Sequence, residues 1–126
     1  MDPTAQHREP TPLDRGDLIA RCLGNIEFVE RVLAKFQQHF GEDLEELERA
    51  LPGGDAETIG RIAHRLKGAS ANVAARGLQA RSAAIEDLAR WRRIAEIPPC
   101  VEDLRDEWSR FQESAASIAV APGEPA

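Results

Sequence analysis

The string His64-Arg65-Leu66-Lys67-Gly68-Ala69-Ser70 brings together residue types suited to handling phosphate. A neutral imidazole is a nucleophile, and a histidine side chain, which ordinarily titrates near ~6.5, is largely neutral at cytosolic pH. An exposed ring nitrogen can attack phosphorus; the transfer then needs positioning, neutralised charge and usually a metal ion. Lys67 offers a cation one turn along. No G-x-x-x-x-G-K-[ST] loop cradles a nucleotide, and no acids cluster around His64 to hold magnesium. Metal and acid cluster would then come from a partner, which fits a passive phosphoryl carrier better than a kinase.

On a helix with Ala63 and Leu66 turned inward, His64 faces solvent, and its face-mates are Gly60, Arg61, Lys67, Gly68 and Ala71. Each glycine inside such a helix costs roughly 1 kcal/mol relative to alanine, so each asks for a reason. Gly68 clears space beside the imidazole for a partner's backbone. Lys67 and Arg61 place positive charge on two sides of an anion held on the ring. Gly60, Arg61, Arg65, Gly68 and Ala71 form the candidate docking set, with Arg61 and Arg65 open to a solvated-charge reading as well. Ser70 reads as a small packing residue or a backbone hydrogen bonder, and Asn72 as a helix ender. Whether Gln38 or His39 approaches the ring stays open; His7, in the N-terminal tail, is assigned nothing.

Five helices position this string. Asp14 to Leu23 forms a short first helix ended by Gly24, with Leu18, Ile19 and Cys22 apolar. Asn25 caps a second, whose stripe is Val29, Val32, Leu33, Phe36, Phe40, Leu44, Leu47 and Leu51; Gly41 is a possible bend. Asp55 caps the third, which runs to about Val73 over Ile59, Ile62, Ala63, Leu66, Ser70 and Val73. The fourth spans about Arg76 to Arg92, with Leu78, Ile85, Leu88 and Trp91 inward. Pro98 or Pro99 opens the fifth, seamed by Val101, Leu104, Trp108, Phe111, Ala115 and Ile118. The fold class is all-α: an antiparallel up-down four-helix bundle over residues 13–119 with a short additional N-terminal helix, between disordered tails 1–12 and 120–126.

The 126-residue chain is 42% hydrophobic and 30% charged, a single-domain globular composition rich in helix formers. No run is long enough to span a bilayer and the N-terminus has no secretory signal, so the expected location is the cytoplasm, without membrane partners. Cys22 and Cys100 are read as small apolar residues rather than a disulfide or a zinc site. The net charge of −6 argues against nucleic acid. Acids dominate from Asn25 to Thr58, and cations dominate from Gly60 to Arg93. That basic block either pairs with neighbouring helices or meets an anionic partner.

The string also resembles the motif of the histidine phosphotransfer (HPt) domain family of two-component phosphorelays, approximately H-x-[LI]-K-G-[AS]-[AS]-x-x-[hydrophobic]-G. His64, Leu66, Lys67, Gly68, Ala69, Ser70 and Val73 match it. Leu13-Asp14-Arg15, Leu23-Gly24-Asn25 and Gly54-Asp55-Ala56 are similar to family usage upstream, and the likeness covers about residues 13–118. Ala74 departs where the family usually has glycine, so the turn into the fourth helix is expected to differ in geometry. The resemblance implies that His64 accepts a phosphoryl group from a receiver-domain aspartyl phosphate, or from a partner kinase, and passes it to another receiver aspartate. It further implies that Lys67 steadies the phosphoryl charge and Gly68 permits close docking. Response-regulator receiver domains and a sensor histidine kinase would be the partners, and the receiver would supply magnesium, with no cofactor of the chain's own.

Two rivals are weaker. A histidine kinase dimerisation segment usually has an acid directly after its histidine and a proline soon after; here Arg65 follows His64 and no proline appears until Pro98. A bundle metal site would show Glu-x-x-His pairs, and no histidine here has a Glu three residues before it. The expectation is a monomeric carrier without ATP-binding activity, free-standing by its Met1 start and its tails.

Overall fold

A computed structural model describes residues 12–120, with side chains to 118; the expectations for the outer tails and for His7 fall outside the described residues. The helices are α1 (Arg15–Arg21), α2 (Ile26–Ala50), α3 (Ala56–Asn72), α4 (Arg76–Arg90) and α5 (Ile97–Val120), with single 3-10 turns at Leu51–Gly53 and Ile94–Glu96. Among the described residues there is no strand.

Three of the starts are set by side-chain caps. Asp14 Oδ1 accepts from Asp17 N at 3.0 Å, and Asn25 Oδ1 from Phe28 N at 3.0 Å. Asp55 accepts from the Glu57 and Thr58 amides, and Thr58 Oγ1 donates to its other oxygen at 2.8 Å. That hydroxyl bond, the leading cause, holds the Asp55 carboxyl below its usual range. Pro98 and Pro99 sit in the first turn of α5, where missing amide protons break no helical bond. Gly41 faces Trp108, and α2 runs through it without interruption.

The helix contacts form a closed ring: α2 on α3, α3 on α4, α4 on α5, and α5 back on α2, with α1 against α2. The connections 51–55, 73–75 and 91–96 are short, as helices returning antiparallel require. The core follows the expected stripes. Phe36 and Phe40 from α2 interlock with Trp108 and Phe111 from α5, with ring centroids 4.6 to 6.2 Å apart. Val32, Leu51 and Leu88 are only half-buried at the edges of their stripes. Cys22 is a buried free thiol and Cys100 a half-buried one.

One expectation is corrected. Trp91, placed inward by periodicity, is 70% exposed, because α4 ends at Arg90 and the chain turns away from the core there. The turn after α3 keeps a left-handed residue without glycine: Ala74 has φ +58° and is fully buried. That backbone costs an alanine about 1–2 kcal/mol, and the buried methyl offsets roughly 0.8 kcal/mol of it. The Ala74 carbonyl accepts from Asp14 N at 2.9 Å, tying the turn to the cap of α1.

Candidate functional site

Ile59, Ile62, Ala63, Leu66 and Ser70 turn the buried face of α3 into the bundle. Ser70 Oγ donates to the Leu66 carbonyl at 2.8 Å, the backbone bond a buried mid-helix serine is suited to make. The opposite face carries His64, whose side chain is 67% exposed.

The ring is held from one side. His64 Nδ1 lies 2.8 Å from Glu86 Oε2 on α4, and Lys67 Nζ lies 2.7 Å from Glu86 Oε1. One carboxylate, 13% exposed, therefore ties both side chains of α3 to α4. An ionised carboxylate only accepts hydrogen bonds, so the neutral imidazole facing it holds its proton on Nδ1. Nε2 then carries the free lone pair, and it makes no hydrogen bond to any described residue. The bond from Lys67, the largest influence, and the one from His64 hold the Glu86 carboxyl below its usual range against the opposing effect of burial. Arg90, one turn on, stands 3.8 Å from Glu86 Oε2 and pairs with Asp87.

Glu86 did not emerge from the sequence, where the stretch from Gly60 to Arg93 read as a block of cations. The hairpin register would have found it. With the α3–α4 turn at 73–75, antiparallel pairing sets His64 opposite Glu86 and Gly60 opposite Ala89.

The expected docking residues separate. At Gly68 an added Cβ would meet nothing within 4 Å, so the glycine leaves open space beside the ring. At Gly60 a Cβ would sit 3.3 Å from Ala89 Cβ, so this glycine serves the close approach of α3 and α4. Arg65 is turned away from His64 and bonds Asp43 Oδ1 at 2.9 Å and Glu46 Oε1 at 2.7 Å on α2. Arg61 is exposed and makes no ion pair with a described residue. Ala71 is half-buried, and its carbonyl accepts from Arg21 at 2.9 Å. Gln38 and His39 are exposed on α2 and neither bonds His64; His39 borders a groove with Ala69, Asn72 and Val73. Much of the basic block pairs internally, through Arg65, through Arg76 with Asp17, and through Arg81 with Glu107. Among the described residues no three His, Cys, Asp or Glu side chains group to hold a metal ion, and no helix is long and apolar enough to cross a membrane.

A family model described as Hpt domain matches residues 31–114, more than half of the chain and the whole of α3 and α4. No curated protein and no solved structure matches.

Proposed function

This chain belongs to the Hpt domain family, the phosphocarriers of two-component phosphorelays, and from that membership we propose that His64 is its phosphoryl-accepting residue. Hpt domains carry phosphoryl groups rather than act as kinases, and they work with receiver domains and kinases. The observation that supports the assignment is the division of labour on one ring: Nδ1 occupied by Glu86 at 2.8 Å, Nε2 bare on an exposed face.

In this reading Nε2 attacks the phosphorus of an aspartyl phosphate on a receiver domain. The Nε2–P bond forms, the P–O bond to the aspartate breaks, and the aspartate leaves as a carboxylate. Nδ1 keeps its proton throughout, so the ring becomes cationic, and Glu86 offsets that charge. Lys67 swings from Glu86 to the phosphoryl oxygens, and Gly68 admits the partner's backbone. Donation to a second receiver aspartate is the same path reversed. Magnesium and the acidic pocket belong to the receiver, a sensor histidine kinase stands upstream, and the carrier works as a monomer in the cytoplasm.

The test is labelling by a receiver domain phosphorylated with radiolabelled phosphate. Wild type should take up label, His64→Gln should take up none while keeping its helical circular dichroism, and ATP alone should label neither. Label on the glutamine variant sinks the assignment. A wild type that binds receivers yet never takes label would leave a docking module that has lost transfer.

A further inference from the structure

The end of α4 presents a second surface continuous with the His64 site. Trp91 is one of three large hydrophobic residues left exposed among the described residues. Arg92 follows with φ +58°, a region that L side chains disfavour and glycine accepts freely. The turn itself is closed by backbone, Arg92 N donating to the Ala89 carbonyl at 3.0 Å and Arg93 N to that of Leu88 at 2.9 Å. Nothing in that geometry calls for an arginine. Its exposed side chain makes no hydrogen bond or ion pair with a described residue, whereas Arg90 is held by Asp87 and Arg93 by Glu96. A steric cost carried by a side chain with no partner inside the protein points outward.

Beside this tip lies an open cavity of about 240 Å³. Its floor is small, made of Ala56, Gly60 and Ala89, and its walls are Glu57, Glu86, Arg90 and Arg92. Glu86 is thus shared by the cavity and the imidazole. A partner reaching Nε2 covers ~800 Å² of this chain, a disc roughly 16 Å in radius. Arg92 lines the same cavity as Glu86, so the tip meets that footprint through Arg92, with the exposed Trp91 next to it in the chain.

We propose that Trp91 and Arg92 form a partner-selecting contact: an acidic loop of the receiver domain engaged at His64 sets a carboxylate against Arg92 at the cavity and an apolar side chain on the exposed Trp91 next to it. The inference rests on the phosphotransfer reading. Tryptophan and arginine are the residues that most often dominate binding energy at interfaces. A protein loop suits the charge pattern better than nucleic acid, because a run of phosphates would also meet Glu57, Glu86 and Asp87, whereas one carboxylate can answer Arg92 alone.

The experiment measures transfer from receiver domains of the source organism, each phosphorylated with acetyl phosphate, to wild type, Trp91→Ala and Arg92→Gly. With the receiver that labels wild type best, both variants should raise KM about tenfold and leave kcat within twofold. Arg92→Gly should at the same time hold or raise Tm, since glycine relieves the backbone; a merely structural arginine would lower Tm and transfer together. Unchanged KM in both variants, with wild type labelled normally, overturns the inference and leaves the function of His64 standing. Failure of every receiver to label wild type removes the reading and this inference with it. Binding of a fluorescent single-stranded DNA 20-mer that is lost in both variants would assign the tip to nucleic acid instead.

Discussion

Replacing Glu86 with alanine tests the central geometry directly. Its carboxylate divides between His64 Nδ1 at 2.8 Å and Lys67 Nζ at 2.7 Å, and truncation removes the acceptor from both. The bond to Nδ1 strengthens as the ring becomes cationic, so its loss falls mainly on the transition state. A charge-assisted bond of this kind contributes ~1.5–3 kcal/mol when buried. His64 is 67% exposed, water competes, and about 1–2 kcal/mol remains. At ~1.4 kcal/mol per tenfold, single-turnover transfer from a phosphorylated receiver should slow about 5- to 30-fold. Glu86→Gln retains a neutral acceptor and should fall between wild type and alanine. Nitrogen NMR of the ring supplies the second readout: in wild type the neutral ring carries its proton on Nδ1, and in Glu86→Ala the proton redistributes toward Nε2. An alanine variant that transfers at the wild-type rate with Nδ1 still protonated would refute the reasoning.

The two glycines on the face of α3 should respond oppositely. Gly68→Ala should raise stability by about 0.5–1 kcal/mol, since its Cβ enters open space and the helix gains propensity, while Gly68→Gln should fold and transfer slowly. Gly60→Ala should gain nothing from propensity, because its Cβ presses on Ala89; denaturant melts separate the pair. Gly77→Ala should destabilise by about 1–3 kcal/mol, because a Cβ there would overlap the carboxylate of Glu107, which is buried with Oε2 lacking a partner; a melt at wild-type stability would show that Glu107 can move aside. The Glu86 carboxyl titrates lower folded than unfolded, so its contribution is whole above its ordinary value of 4.5 and is lost as pH falls through the folded value. The stability gap between wild type and Glu86→Gln should therefore be flat above pH 4.5 and shrink below it in melts across pH 3 to 6.

Periodicity carried the helices and their buried faces because steps of three and four survive any loop geometry. Leu66 and Ala63 could be set inward, and His64 outward, from spacing alone. What spacing does not contain is which helix lies beside which. Glu86 stands 22 residues from His64 and becomes its partner only once the α3–α4 hairpin closes. Arg65 is adjacent to His64 in sequence, yet the 100° step of a helix swings it to Asp43 and Glu46 on α2. Gly60 and Gly68 are alike in sequence, and only the position of Ala89 distinguishes a packing glycine from an open one. Trp91 fits the apolar pattern of α4 but lies one residue beyond its end, where the pattern no longer governs direction. At the turn after α3 a left-handed backbone falls on Ala74, a conformation that helical spacing does not encode.

The stacked rings between α2 and α5 give the chain an optical consequence. It contains two tryptophans and no tyrosine, so its ultraviolet emission comes from Trp91 and Trp108 alone. Trp108 is 9% exposed and stacked on Phe40 and Phe111, while Trp91 stands in water. Acrylamide should quench the red-shifted indole of Trp91 and spare the blue-shifted one of Trp108. The same unlabelled sample can then report core integrity at one wavelength and contact at the α4 tip at another.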